Sequence, residues 1–157
     1  MKQIKNGRLI IVAAIAVVAL LSVVFIGGAI DKNANGPMGY VDIVRLSSEF
    51  KPIADIQKII DTETQKMQDK FDKETKNMKE EDKQQTFIKY QQDLNDRLIE
   101  LKLDEKLQAA QNQLLSTISK VAQEKGLSSV IDAGVIYYGN PAFDITEAVI
   151  QAGAKIK

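Results

Sequence analysis

The sequence predicts an α+β chain: an N-terminal transmembrane helix, then a small three-stranded antiparallel sheet with a long α-helical hairpin inserted after the first strand, and a short C-terminal helix. Three observations predict it. Leu9 to Ile30 is a run of 22 residues without a charge. The stretch 53–125 holds neither Gly nor Pro and consists mostly of Gln, Lys, Glu, Asp, Leu, Ala and Ile, a helix-forming composition. Short β-branched and aromatic runs flank that stretch, at 39–44 and 128–138. The expected organisation is a cytoplasmic N-terminus at 1–8, a transmembrane anchor at 9–30, a linker at 31–38 and a folded domain at 39–157 containing the helical hairpin 52–125.

At ~1.5 Å per residue the apolar run spans a bilayer core of ~30 Å. A cleaved signal peptide is the rival reading, with Gly27 and Ala29 as a weak small-x-small cleavage site, but its apolar core should be only ~7 to 15 residues. Both readings export the rest of the chain. Lys2, Lys5 and Arg8 precede the run, and a mixed-charge segment follows it, so the first eight residues stay inside. The absence of cysteine excludes a lipoprotein anchor. Asn33, Asn35, Gly36 and Pro37 then give the segment after the span a turn or linker composition.

Tyr40, Val41, Ile43 and Val44 mark a first strand over 39–44. Beyond it, Ile53, Ile56, Ile60, Thr64, Met67, Phe71, Glu74 and Met78 step by threes and fours, a coiled-coil-like seam with polar breaks. Phe87, Tyr90, Leu94, Leu98 and Leu101 repeat it, then the phase shifts through Leu107, Ala110, Leu114, Ile118 and Val121, as at a stutter. As one helix, 53–125 would reach ~110 Å and separate the first strand from those that follow. A lone strand is marginal in water, so the helix should fold back. The expected turn lies at Glu80 to Lys83, where Asp82 and Gln85 have capping-box spacing. The inner faces of this hairpin either form an ordinary packing stripe with solvated charges or also touch a partner.

Gly126 is placed to cap the helix, with Lys120 and Lys125 near its end. Ser128 to Asp132 and Val135 to Tyr138 read as two strands of a hairpin turning at Ala133-Gly134. Gly139-Asn140-Pro141 ends it, and Asp144 with Glu147 looks like a capping box opening the last helix. Three short strands carrying Val41, Ile43, Val130, Ile131, Val135 and Ile136 make too small a core to stand alone, and oligomerisation would close their edges.

Composition excludes much chemistry. With 45% hydrophobic and 27% charged residues, 157 residues allow one ordinary domain and a short accessory segment. There is no Cys, His or Trp, which removes disulfides, thiolate or imidazole metal sites, and His-dependent nucleophilic mechanisms. Removing the three N-terminal cations from 21 basic residues leaves 18 against 21 acidic ones, with no basic stripe, so no nucleic-acid partner is expected. Glu80, Glu81 and Asp82 have no apolar pocket around them in sequence and read as solvated charges. No catalytic residue, metal or cofactor is expected.

The motifs and their order resemble the Skp/OmpH family of periplasmic chaperones over roughly 39–152. Gly39-Tyr40-Val41-Asp42, leading to Pro52 and a long helix, is similar to the family's opening strand. Ser129-Val130-Ile131-Asp132, Tyr137-Tyr138-Gly139-Asn140-Pro141 and Asp144-Ile145-Thr146 resemble its closing block, so the motif residues are Asp42, Asp132, Tyr138, Asp144, Ile145 and Thr146. The resemblance implies a homotrimer with a small β-barrel body and helical arms, which holds unfolded outer-membrane proteins without ATP or a cofactor. It also implies a periplasmic domain, here on a single-pass inner-membrane anchor that contacts the lipid bilayer through 9–30. The mildly acidic domain departs from the basic character of the family's familiar member. The alternative, from a different class, is a coiled-coil envelope tether or stalk without client binding. A stalk needs no strand block after Gly126, and its helix would lie on the opposite side of the membrane.

Overall fold

A computed structural model describes residues 36–156. The expected cytoplasmic N-terminus at 1–8, the expected transmembrane anchor at 9–30 and most of the expected linker at 31–38 lie outside them. No helix among the described residues is long and apolar enough to cross a membrane. The order is β1 (Met38–Val41), α1 (Ile43–Glu49), α2 (Lys51–Thr75), α3 (Glu80–Glu100), α4 (Leu103–Glu124), β2 (Ser129–Asp132), a 3-10 turn (Ala133–Val135), a second 3-10 turn (Pro141–Phe143) and α5 (Thr146–Gly153). The chain divides into two compact units, Gln57–Asp104 and, among the described residues, 36–56 with 105–156.

In the second unit the sheet differs from expectation: it has two strands and they are parallel, pairing Met38 with Ser129, Gly39 with Val130, Tyr40 with Ile131 and Val41 with Asp132. The connection explains the direction. A two-residue turn joins antiparallel strands, whereas parallel strands need a crossover of a dozen or more residues, and the whole helical excursion serves as one. The expected hairpin at 128–138 does not form. The Asp132 carboxylate accepts from Gly134 N–H at 3.0 Å and caps a 3-10 turn where the tight turn was expected. Val135 belongs to that turn, and Ile136 to Tyr138 form no strand. The first strand is also shorter than 39–44. Asp42 stops it by capping α1, its Oδ1 accepting from Arg45 N–H at 3.0 Å, so Ile43 and Val44 are helical.

The core of this unit is centred on Val41, Leu46, Phe50, Ile53, Ile145 and Val149, all fully buried. Helices α1 and α5 pack together, and at Gly153 an added Cβ would collide with the Phe50 ring, so the helix approaches only because the residue has no side chain. Outside this contact, Arg45 bridges Glu49 at 2.8 Å and Glu147 at 3.2 Å. Helix α4 ends as expected at Gly126, whose φ of +67° suits glycine. Leu127 N–H reaches Ala122 O and Gly126 N–H reaches Gln123 O, a Schellman closure.

In the first unit α2 and α3 run antiparallel, as the pairings of Glu63 with Arg97 and of Phe71 with Phe87 and Tyr90 require. The chain reverses at 76–79, earlier than Glu80 to Lys83. Met78 N–H bonds Thr75 O to close the turn, while Lys79 is the N-cap of α3 without a side-chain bond. Asp82 therefore sits in the first turn of α3, where its charge suits the helix dipole. The phase shift after Leu101 corresponds to a break between α3 and α4, with Lys102 in the left-handed region at φ 53°.

Candidate functional surfaces

Four of the six motif residues meet at one junction. Tyr40 accepts from Ile145 N–H at 3.0 Å, and Tyr40 and Asp144 form an isolated parallel bridge, so the segment before α5 lies along β1 as a rudimentary third partner. Asp144 Oδ1 accepts from Thr146 N–H at 2.9 Å. Thr146 Oγ1 accepts from Asp42 N–H at 2.8 Å, and Asp42 caps α1. The expected Asp144–Glu147 capping box is thus replaced by an Asx turn, while Glu147 faces Arg45 and Gln151. Strand, capping residue and closing segment are locked by side chains more than a hundred residues apart in the chain.

Asp132 and Tyr138 lie elsewhere, at the end of β2 and beyond it. There the chain presents apolar surface: Val135 is 69% exposed and Tyr138 91%, with Tyr137 fully exposed. Ile136 is half-buried and, with Met38, Tyr40, Ile131, Tyr138 and Phe143, lines a shallow depression of about 190 Å³. Strand β2 has only β1 as a neighbour among the described residues, so its outer edge is open beside these side chains. Of the six residues expected in the body core, Val41 is fully buried, Ile43 lies half-buried on α1, Val130, Ile131 and Ile136 are half-buried, and Val135 faces solvent.

In the first unit Phe71 stacks edge-on against Phe87 at 5.9 Å and Tyr90 at 5.7 Å. The Tyr90 hydroxyl donates to Glu74 at 2.6 Å, and this bond to the carboxylate, aided by partial burial, pushes the phenol up to about 12. Glu74 and Thr64, polar residues of the predicted seam, therefore differ: Glu74 is exposed and bonded across the hairpin, whereas the Thr64 hydroxyl is buried without a partner. Glu63, which sequence reasoning missed, is nearly buried and receives Lys66 at 2.6 Å and Arg97 at 3.2 Å. The bonds from these two cations hold its carboxyl below the usual range. The spacing of Glu63 and Lys66, one turn apart, was the available signal; the Arg97 partner requires knowing the hairpin register.

Among the described residues no cluster of His, Cys, Asp or Glu could hold a metal ion. The depression beside β2 has an aromatic and apolar lining with one amide, Asn140, and no acid–base pair. Such surfaces can associate with other polypeptide. Residues 75–152 match the family model described as Outer membrane protein (OmpH-like), a span running from the last residue of α2 into α5. No curated protein matches the chain.

Proposed function

We propose that this chain is an ATP-independent holdase that binds unfolded outer-membrane proteins in the periplasm and keeps them from aggregating. The OmpH-like match over 75–152 carries the reading, because it covers the returning half of the hairpin, the strand block and the closing helix together. The motif junction at Asp42, Asp144, Ile145 and Thr146 supports it by giving those residues one shared structural task. The role is non-catalytic.

In this reading the working species is a homotrimer. The open edge of β2 and the exposed side chains of Val135, Tyr137 and Tyr138 support assembly, since an unpaired edge beside an apolar patch is costly to leave in water. Val130, Ile131, Val135 and Ile136 would join the body across copies, with Ile136 to Tyr138 gaining its strand partner from a neighbour; Val41 already belongs to the core of a single chain, and Ile43 would contribute from α1. Client contact falls to the hairpin 52–125. The 22-residue run at 9–30 supports a single-pass inner-membrane anchor with the N-terminus inside.

Native mass measurement of the full chain in nanodiscs, with and without a urea-unfolded β-barrel membrane protein, tests this. Three chains carrying one client without nucleotide is the expected result. A chain that stays free of client would favour the structural tether.

A further inference from the structure

The chain enters the second unit at a pinned point. Ser128 Oγ donates to Gly36 O at 2.7 Å, Ser128 N–H donates to Pro37 O at 3.0 Å, and a Cβ at Gly36 would stand 2.9 Å from the Gly126 carbonyl oxygen. Only 31–35 separate this point from the charge-free run 9–30. The six Cα steps from Ile30 to Gly36 reach at most about 20 Å. A headgroup layer is itself ~5–8 Å deep on each side of a bilayer, so with 9–30 in the membrane Gly36 stands within about 15 Å of the outer surface.

The face that begins at this point is uncharged and aromatic. Strand alternation turns Gly39 and Val41 towards the core, where a Cβ at Gly39 would collide with Leu127, and turns Met38 and Tyr40 outward to the depression they share with Ile136 and Tyr138. The segments that build this face, 36–41, 126–131 and 133–143, contain no charged residue, although 27% of the chain is charged. Both strands start at this end, with Met38 opposite Ser129, and meet charges only at the other, at Asp42 and Asp132. Met38 is 54% exposed, and Tyr137 and Tyr138 are the exposed aromatic side chains among the described residues.

From this arrangement, and resting on the anchored reading of 9–30, we infer that the outer face of the sheet, with Met38, Tyr137 and Tyr138, docks on the headgroup zone of the membrane that holds the anchor. Tyrosine suits that zone because its ring is apolar and its hydroxyl stays wet. The tether selects the occupant: a bilayer within about 15 Å of the face is present at high effective concentration whatever else the chain meets. The charged surface of α1 and α5, with Arg45, Glu49 and Glu147, lies beyond the far ends of the strands and keeps its water in this pose. Assembly through the open edge of β2 uses backbone N–H and C=O groups and leaves the tyrosine rings to lipid. Because the face is neutral, docking needs no anionic lipid and should be nearly insensitive to salt.

The test exploits the absence of tryptophan from the chain. Tyr137→Trp places a single indole on the face, and Leu115→Trp places one at a half-exposed site ~13 Å back along α4 from its last residue, Glu124. Each full-length variant is reconstituted in phosphatidylcholine vesicles with plain acyl chains or with chains brominated near the headgroup, and vesicle flotation and circular dichroism verify that it is anchored and folded. Brominated lipid should dim the Tyr137→Trp indole at least about twofold and the Leu115→Trp indole by less than about a fifth, from about 50 to 500 mM salt and with or without anionic lipid. A solvent-like, unquenched indole at 137 overturns the inference and leaves the anchored reading standing. So does a blue-shifted indole that brominated lipid does not quench, which would place the ring between copies, or equal quenching at both positions. A chain that fails to float with the vesicles defeats the anchored reading and the inference with it.

Discussion

Replacing Thr146 with valine removes one acceptor and little else. Thr146 is 1% exposed, and its Oγ1 accepts the Asp42 N–H at 2.8 Å across 104 residues of sequence. Valine fills nearly the same space but leaves that N–H without its partner. An unsatisfied buried donor costs about 1–3 kcal/mol. Asp42 is only half-buried, so water recovers part of this, and we expect about 1–2 kcal/mol. In a chain of this size that lowers the unfolding midpoint by about 2–8 °C. Thr146→Ser, which keeps the hydroxyl and loses a methyl, should retain the bond and serves as the control. Hydrogen exchange locates the effect: the amides of Asp42 and Ile145 should exchange about 5–30-fold faster in the valine variant, with those around Phe71 unchanged. A valine variant as stable as the serine control, or acceleration spread evenly over both units, would refute the claim that this bond ties β1 and α1 to α5.

Three further outcomes follow from the packing. Gly153→Leu forces a side chain into the Phe50 ring and should cost about 1–3 kcal/mol, read by urea unfolding, with Gly153→Ala intermediate. Thr64→Val replaces a buried, unpartnered hydroxyl by a methyl and should stabilise the hairpin by about 0.5–1.5 kcal/mol in thermal unfolding. Tyr90→Phe should destabilise by about 1 kcal/mol at neutral pH, the discounted value of a partly exposed bond to a carboxylate. Because folding raises the Tyr90 phenol from 10.0 to about 12, its contribution is complete below pH 10 and disappears as pH rises through about 12. Ultraviolet titration should show a late ionisation that is lost in the phenylalanine variant.

The helical part of the fold was legible because its signals are local. The composition of 53–125 requires helix, strand pairing requires a reversal, and the phase shift at Leu101 marks the break at Lys102. The reversal was placed a few residues late because Asp82 and Gln85 have capping-box spacing, whereas the chain turns at 76–79 using backbone bonds that no residue type announces. The sheet was misread for a different reason. Val135 to Tyr138 has strand composition, but a strand exists only where a partner ladder exists, and the described chain supplies none; Asp132 instead turns the backbone with its own carboxylate. The parallel direction was implicit in the long crossover between β1 and β2. Of the candidate surfaces, Tyr138 and the Asp144-Ile145-Thr146 motif stood out in sequence. Glu63–Arg97 and Phe50–Gly153 did not, since each depends on a register between distant segments.

The central claim is that this chain holds an unfolded β-barrel protein in solution by itself. Light scattering from such a protein, diluted out of urea into excess full chain in nanodiscs without nucleotide, measures this directly. Scattering should stay near baseline, and should rise to the level of the client alone when empty nanodiscs replace the chain. Aggregation of the client at the same rate with and without the chain would contradict the account and point to a structural role in the envelope.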